Sequence, residues 1–442
     1  MIKKIWLIAA LAICGFGFAQ EAQDSVDDQA EIRENPELGV SDGYVGAQDY
    51  SLYPFLHLSA NRINLNGADW TDLRGRFDMC GDTVISIVHI GDSHIQAEGA
   101  TSRTRALLQH NYGSAGRGLI IPFRLAGTNQ PLDYKITSKS TFTVGKLMKH
   151  PWVVPMGFTG VSLQPDKKNF DFTISIVDSK EAEPDFDIVK MYKQGATPRL
   201  LSAISDNGFP ALYNEFADQD TITIFLYEPV TSITLNFQCE EKCQIFGFKL
   251  ENEMVGVEYS AIGNNGATFS SYNALGTLGN DLKTLSPNLV IVSLGANEAF
   301  GRVSDDDFYG QIDQLVSDVR IHNPQTEILL VTPSECQRSK TTRVGKGKNR
   351  KKVKTYSVNT NIPRLRNVIL QYGRDHAVPT YDWYEVAGGT GSSQEWLLRK
   401  LMNTDRIHNT WSGYALQGDL LFDALNRTIN SPSEIIVAET DE

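Results

Sequence analysis

The sequence predicts a doubly wound α/β domain, three layers deep, interrupted by an antiparallel β-sandwich. Three observations carry this. β-branched apolar runs alternate with helical periods from about residue 83 and again from 257. Between them, residues 119–256 hold short alternating runs split by Pro, Asn, Asp and Gly, with few helical periods. Polar segments follow directly on the apolar runs of the α/β part, at the edge where open parallel sheets gather their chemistry.

With 442 residues, 41% of them hydrophobic, the chain can bury a large core. A net charge of −12 argues against a general nucleic-acid binder, which needs excess Lys and Arg for phosphates. Met1-Ile2-Lys3-Lys4, the apolar run Ile5–Phe18 and Ala19-Gln20 form the basic, apolar and small-residue regions of a signal peptide over 1–20. Ile13 is too large to precede a lipoprotein cysteine at Cys14. No later run reaches spanning length, so the mature protein is expected to be exported, periplasmic or extracellular, without an integral membrane segment. Residues 21–52 form an acidic flexible leader, with Asp24, Asp27, Asp28, Glu31, Glu34 and Glu37 against Arg33 alone.

The α/β domain begins in 53–118. Tyr53–Phe77 is a globular lead-in, Thr83–Ile90 a doubly buried strand, and Glu98–Tyr112 a helix. The glycine-rich Gly113–Gly118 lacks a following Gly-Lys-Ser/Thr and reads as a plain loop. Within 119–256, strands are expected at Phe170–Val177, Thr221–Tyr227 and Ser232–Phe237. Trp152, Phe158 and Tyr192 are candidates for stacking on sugar rings, against the commoner fate of core packing. Export permits disulfides, and Cys239 and Cys243 could close a hairpin tip as one; the alternative is two exposed thiols. One cysteine pair without a partner pair or nearby histidines is only half a zinc site, and no metal or cofactor is expected.

The α/β rhythm resumes over 257–430, ahead of a flexible tail at 431–442. Strands are expected at Val257–Ile262, Asn288–Leu294, Glu327–Thr332 and Val378–Tyr381. Helices are expected from the Gly266 loop to about Leu285, from Asp305 to His322, from Val358 to Arg374 and from Ser412 to about Leu425. Arg338–Lys354 holds nine cations and no acid. It reads either as a flexible solvated loop or as a cationic flap that draws acidic glycan toward the site.

Four polar blocks converge on one sheet edge: Gly91-Asp92-Ser93, Gly266, Gly295-Ala296-Asn297 and Asp405-Arg406-Ile407-His408. Together they resemble the SGNH (GDSL-type) hydrolases, over about 60–120 and 257–426. The resemblance implies a flavodoxin-like α/β/α domain with Ser93 as nucleophile, His408 as base and Asp405 orienting the imidazole. It implies an oxyanion hole from the Ser93 and Gly266 N–H groups and the Asn297 amide, with Asp92 and Glu298 as supporting groups. Glu298 stands where members commonly carry Asp, and is either a buried hydrogen-bond partner or a surface carboxylate. His94 stands where many carry an apolar residue and is read as a packing histidine. The absence of a Gly-x-Ser-x-Gly elbow counts against the α/β-hydrolase fold.

Gly-Asp-Ser-His and Gly-x-Asn-Glu look like the branch containing bacterial peptidoglycan O-acetylesterases, whose members carry a sandwich resembling a family-35 carbohydrate-binding module. The expectation is an exported serine esterase that removes O-acetyl groups from a glycan polymer, peptidoglycan first. The alternatives are an acetyl-xylan or other polysaccharide esterase, a polysaccharide O-acetyltransferase, and a non-catalytic glycan-binding protein.

Overall fold

Five parallel strands form the centre of the molecule: Val84–Gly91, Gly256–Gly263, Leu289–Ser293, Glu327–Val331 and Thr380–Tyr381. Counted along the chain they lie in the order 2-1-3-4-5, so the flavodoxin-like switch point falls between the first and third. Ile63–Asn64 adds an antiparallel edge to Thr380–Tyr381. The computed structural model describes residues 49–177, 185–344 and 351–431. The expected signal peptide, the leader to residue 48, residues 345–350 of the basic segment and the tail from 432 lie outside them.

Side-chain alternation along these strands feeds two cores. Ile85, Ile87, Leu289, Ile291 and Leu329 meet Leu73 and Phe77 of helix Thr71–Asp78, Leu108 of Gly99–Tyr112 and Leu420 of Trp411–Asn430. Val88, Ile90, Val290, Val292 and Leu330 meet Phe308, Ile312 and Val316 of Asp305–His322, and Ile362, Leu365 and Ile369 of Asn361–Asp375. Burial on both faces is why these strands read as unbroken apolar runs.

The helix Asp305–His322 occupies the expected span because its ends are written locally. Ser304 caps Asp307 N–H, acids fill the first turn, and Arg320 and His322 close the last. The helix expected over 98–112 is found at Gly99–Tyr112 but is preceded by an unexpected short one, and the helix expected from the Gly266 loop to about Leu285 is broken in two. Glu98, at φ +54°, separates the short helix Ser93–Gln96 from Gly99–Tyr112. Gly276, at φ +68°, separates Phe269–Asn273 from Leu278–Leu282.

From Gly118 to Glu251 the chain forms two antiparallel sheets of seven and four strands. They share one core with the α/β sheet, since Phe172, Leu235 and Phe248 belong to the same cluster as Val88 and Ile90. Several expectations are corrected here. Cys239 and Cys243 are neither a disulfide nor exposed: both are buried free thiols, and burial together with the Cys239 thiol pushes Cys243 up to about 12. They pack as small apolar groups with little thiolate to oxidise. Phe158 and Tyr192 are core residues, and Trp152 is half-buried with Nε1 donating to Leu147 O. The exposed aromatics of this region are Phe209, Phe216, Phe225 and Tyr227. The basic segment forms a β-hairpin, Gln337–Val344 paired with Lys351–Val358, where a loop is expected.

The antiparallel region and the α/β part meet at a buried four-charge cluster. Arg117 Nη2 lies 2.5 Å from Glu98 Oε2 and Nε lies 2.8 Å from Asp133 Oδ2, while Arg105 Nη2 reaches Asp133 Oδ2 at 2.7 Å. All four side chains are at most 10% exposed, so removing one partner strands an uncompensated charge. Arg117→Ala is therefore expected to lower unfolding stability by about 3–5 kcal/mol. A shift in the denaturant midpoint worth less than about 1 kcal/mol would place the cluster with ordinary surface pairs instead.

Candidate active site

Ser93 opens the one-turn helix at the carboxyl end of Val84–Gly91, and Asp92 caps that turn by accepting His94 N–H at 2.9 Å. Ser93 Oγ lies 2.9 Å from His408 Nε2, and His408 Nδ1 lies 2.6 Å from Asp405 Oδ2. The other Asp405 oxygen accepts the Ile407 and His408 N–H groups at 2.9 and 3.0 Å. Burial acts to raise the Asp405 pKa, but the His408 ring and these amides outweigh it and hold it below the usual carboxylate range. The structure thus brings Ser93, His408 and Asp405 into one hydrogen-bonded chain, although Ser93 and His408 are 315 positions apart.

Gly266 follows the Gly256–Gly263 strand at φ +79°, in a loop held by Gln96, whose Oε1 accepts Asn265 N–H at 2.7 Å. Among the described residues, neither the Ser93 nor the Gly266 N–H has a protein acceptor. Asn297 lies beside this loop, but its amide is engaged: Nδ2 donates to Asp92 Oδ2 at 3.1 Å and to Ala267 O at 3.0 Å. Asp92 thus links Asn297 to the turn that carries Ser93.

Glu298 is not a surface carboxylate. It is 6% exposed, its Oε1 accepts Phe269 N–H at 2.7 Å, and its Oε2 has no partner among the described residues. Burial pushes its pKa up to about 7 and that of Asp92 up to about 6. His94 packs its ring 5.2 Å from that of His408, with Nδ1 3.1 Å from the Tyr414 hydroxyl. Burial first, then the His408 charge, drives its pKa down to about 3, so it stands neutral beside His408.

Two contributors, Gln96 and Tyr414, are not singled out in the sequence, and a third, Arg338, is read there only as part of the basic segment. Gln96 lies three positions after Ser93, on the buried side of the same turn. Tyr414 lies on the first turn of the last helix, six residues after His408. Arg338 reaches Ala299 O, beyond Asn297, from the root of the basic hairpin. Only Gln96 left a trace, as a polar side chain on an otherwise buried turn. Among the described residues no group of His, Cys, Asp and Glu is arranged to hold a metal ion.

Residues 232–416 match the GDSL-like lipase/acylhydrolase family model, a span that holds Gly266, Asn297, Asp405 and His408 and leaves Ser93 outside. In structure the chain is similar to a peptidoglycan O-acetylesterase, with a TM-score of 0.66 and 20% identity over 84% of this chain and 98% of that one. At that identity the likeness is one of fold. A lipase/acylhydrolase from Enterococcus faecalis aligns with 39% of this chain and 77% of its own at 20% identity and a TM-score of 0.28. An acetylxylan esterase from Geobacillus stearothermophilus aligns with 40% of this chain and 74% of its own, at 17% and 0.27. No curated protein matches the sequence.

The raised pKa of Glu298 has a signed consequence. Its folded value, about 7, lies above the ordinary 4.5, so the folded state holds the proton more tightly across that window. Stability from this group is present below pH about 4.5 and is lost as pH rises to about 7. Glu298→Gln removes the loss while keeping an oxygen for Phe269 N–H. The variant should gain on the wild type between pH 5 and 8, by an amount on the order of 3 kcal/mol at most. Denaturant midpoints of both proteins across pH check this, and parallel curves would contradict it.

Proposed function

We propose that the chain, whose residues 232–416 match the GDSL-like lipase/acylhydrolase family model, is an exported serine esterase that removes O-acetyl groups from a glycan, with peptidoglycan as the polymer. The observation that carries the catalytic reading is the unbroken chain Ser93 Oγ–His408 Nε2 and His408 Nδ1–Asp405 Oδ2, at 2.9 and 2.6 Å. The polymer reading rests on the likeness to a peptidoglycan O-acetylesterase, which extends over 84% of this chain. The amino-terminal signal pattern supports export.

In the acylation step Ser93 Oγ attacks the acetyl carbonyl carbon while its proton passes to His408 Nε2. Asp405 fixes the tautomer by accepting from Nδ1 and stabilises the imidazolium that forms. The carbonyl oxygen becomes an oxyanion against the Ser93 and Gly266 N–H groups. Asn297 joins them by giving up one protein acceptor, Ala267 O or Asp92, for the developing charge. His408 then hands its proton to the departing sugar oxygen, and a water deprotonated by the same ring releases acetate from the acyl-enzyme.

Ser93→Ala and His408→Ala are each expected to lower kcat on an aryl acetate by 10³-fold or more, with Asn297→Ala costing on the order of 10²-fold. Wild-type turnover in either of the first two would discard the mechanism. Acetate release from O-acetylated peptidoglycan, compared with acetylated xylan, tests the polymer.

A further inference from the structure

We propose that the paired strands Gln337–Val344 and Lys351–Val358 form an anion-binding arm that holds a carboxylate-bearing glycan strand beside Ser93; this deepens, and rests on, the reading of the chain as a glycan esterase. The hairpin is built in a way that its own folding does not favour. Its register is continuous from Gln337↔Val358 to Val344↔Lys351, which sets Arg343 directly opposite Lys352 and Thr341 opposite Lys354. Like charges so placed repel, and residues 337–358 contain no acid to offset them. Residues opposite one another share a face, as do residues two apart on one strand. Arg343, Lys352 and Lys354 therefore stand on the same face as Tyr356, and all three are exposed. Among the described residues no carboxylate pairs with any of them.

The arm is rooted in the candidate active site itself. Gln337 N–H donates to Arg406 O at 2.9 Å and Arg406 Nη1 donates back to Gln337 Oε1 at 2.8 Å. The Arg406 guanidinium lies 4.0 Å over the Tyr356 ring, whose hydroxyl donates to Thr404 O at 3.3 Å. These contacts join the arm to the loop that carries Asp405 and His408. On the other side Arg338 reaches Ala299 O and donates from Nε to Asn359 Oδ1 at 3.0 Å, joining it to the turn after Asn297. The cationic face thus starts at Tyr356, against the Thr404–His408 loop, and runs outward with a cation about every 7 Å along the strand.

Charge balance selects the ligand. The chain carries −12 with nine cations in this segment, so the remainder carries −21, and the segment stands out as a concentration of positive charge on an acidic chain. An array repeated along an extended strand suits a chain with repeated carboxylates. A small neutral ester has no use for it.

The test measures binding without turnover. Ser93→Ala protein is sedimented with insoluble peptidoglycan, either native or with its carboxylates amidated by ethanolamine, at low and high salt. The parent should bind the native polymer roughly tenfold more tightly than the amidated one, with the difference vanishing at high salt. R343Q/K352Q/K354Q on the same background should bind both forms at the amidated level. Unchanged binding of native polymer by the triple variant overturns the proposal, and so does equal weakening on both forms. In the active enzyme the triple substitution should raise KM on the native polymer and leave kcat on aryl acetate intact. A matching fall on aryl acetate would make the hairpin a structural brace only. Failure of the active enzyme to release acetate from peptidoglycan would overturn the polymer reading while leaving the binding result to stand or fall alone.

Discussion

The site depends on a close approach of backbones that leaves no room for side chains. A Cβ on Gly91 would lie 2.2 Å from Ile95 Cγ1 and 2.8 Å from Ser293 O, and one on Gly263 would lie 2.0 Å from Gln96 N. The two glycines let the Ser93–Gln96 turn press onto the ends of three adjacent strands at once. A four-residue helix has no stability of its own and must be held from outside. Asp92 holds its start, Gln96 binds the Gly266 loop, and the Tyr272 oxygen bridges Gly91 O and Ile262 O at 2.7 and 3.0 Å. Loops that come from distant parts of the chain are thereby fixed to one another before any substrate arrives.

The second dependency lies just behind that turn. Glu98 follows the Ser93–Gln96 turn in the left-handed region and is buried against Arg117, the residue with which the chain leaves for the insertion. Ser260 Oγ accepts Leu119 N–H at 3.1 Å, and Lys249 Nζ lies 2.7 Å from Glu258 Oε2, so the insertion is stitched to the second core strand as it leaves and as it returns. The chain therefore passes through more than a hundred residues of sandwich between the serine and the rest of the site without loosening their geometry.

What the sequence made legible follows the range of the interactions involved. The α/β strands were legible because burial on both faces writes a continuous apolar run, and Asp305–His322 because caps and terminal charges are local. The break at Gly276, at φ +68°, has a local glycine signal, whereas the left-handed Glu98, at φ +54°, has none along the chain and meets Arg117 nineteen residues on. The basic segment resisted reading because its strands carry no apolar alternation, and its pairing is fixed by Arg406, Tyr356 and Arg338 at the root. Within the site the blocks announced Ser93, Gly266, Asn297, Asp405 and His408. The engagement of the Asn297 amide by Asp92 and Ala267 had no sequence signature, since it depends on two loops meeting.

Three carboxyl groups belong to the loops of the candidate site, and their environments divide them. Asp405 collects three N–H donors and stays ionised beside the ring it must stabilise. Asp92 and Glu298 are buried with fewer donors, and their pKa values rise to about 6 and about 7. Each is tied to the loops that present N–H groups: Asp92 through Asn297, and Glu298 through Phe269. In the mechanism proposed above, a full negative charge on either would oppose the oxyanion, because the interaction is poorly screened in a buried site. Partial protonation near neutral pH reduces that opposition while keeping the oxygens as hydrogen-bond acceptors. The same burial that makes these carboxyls costly for folding therefore suits them to support an anion, and only the carboxyl facing the imidazole is given the donors that keep it charged.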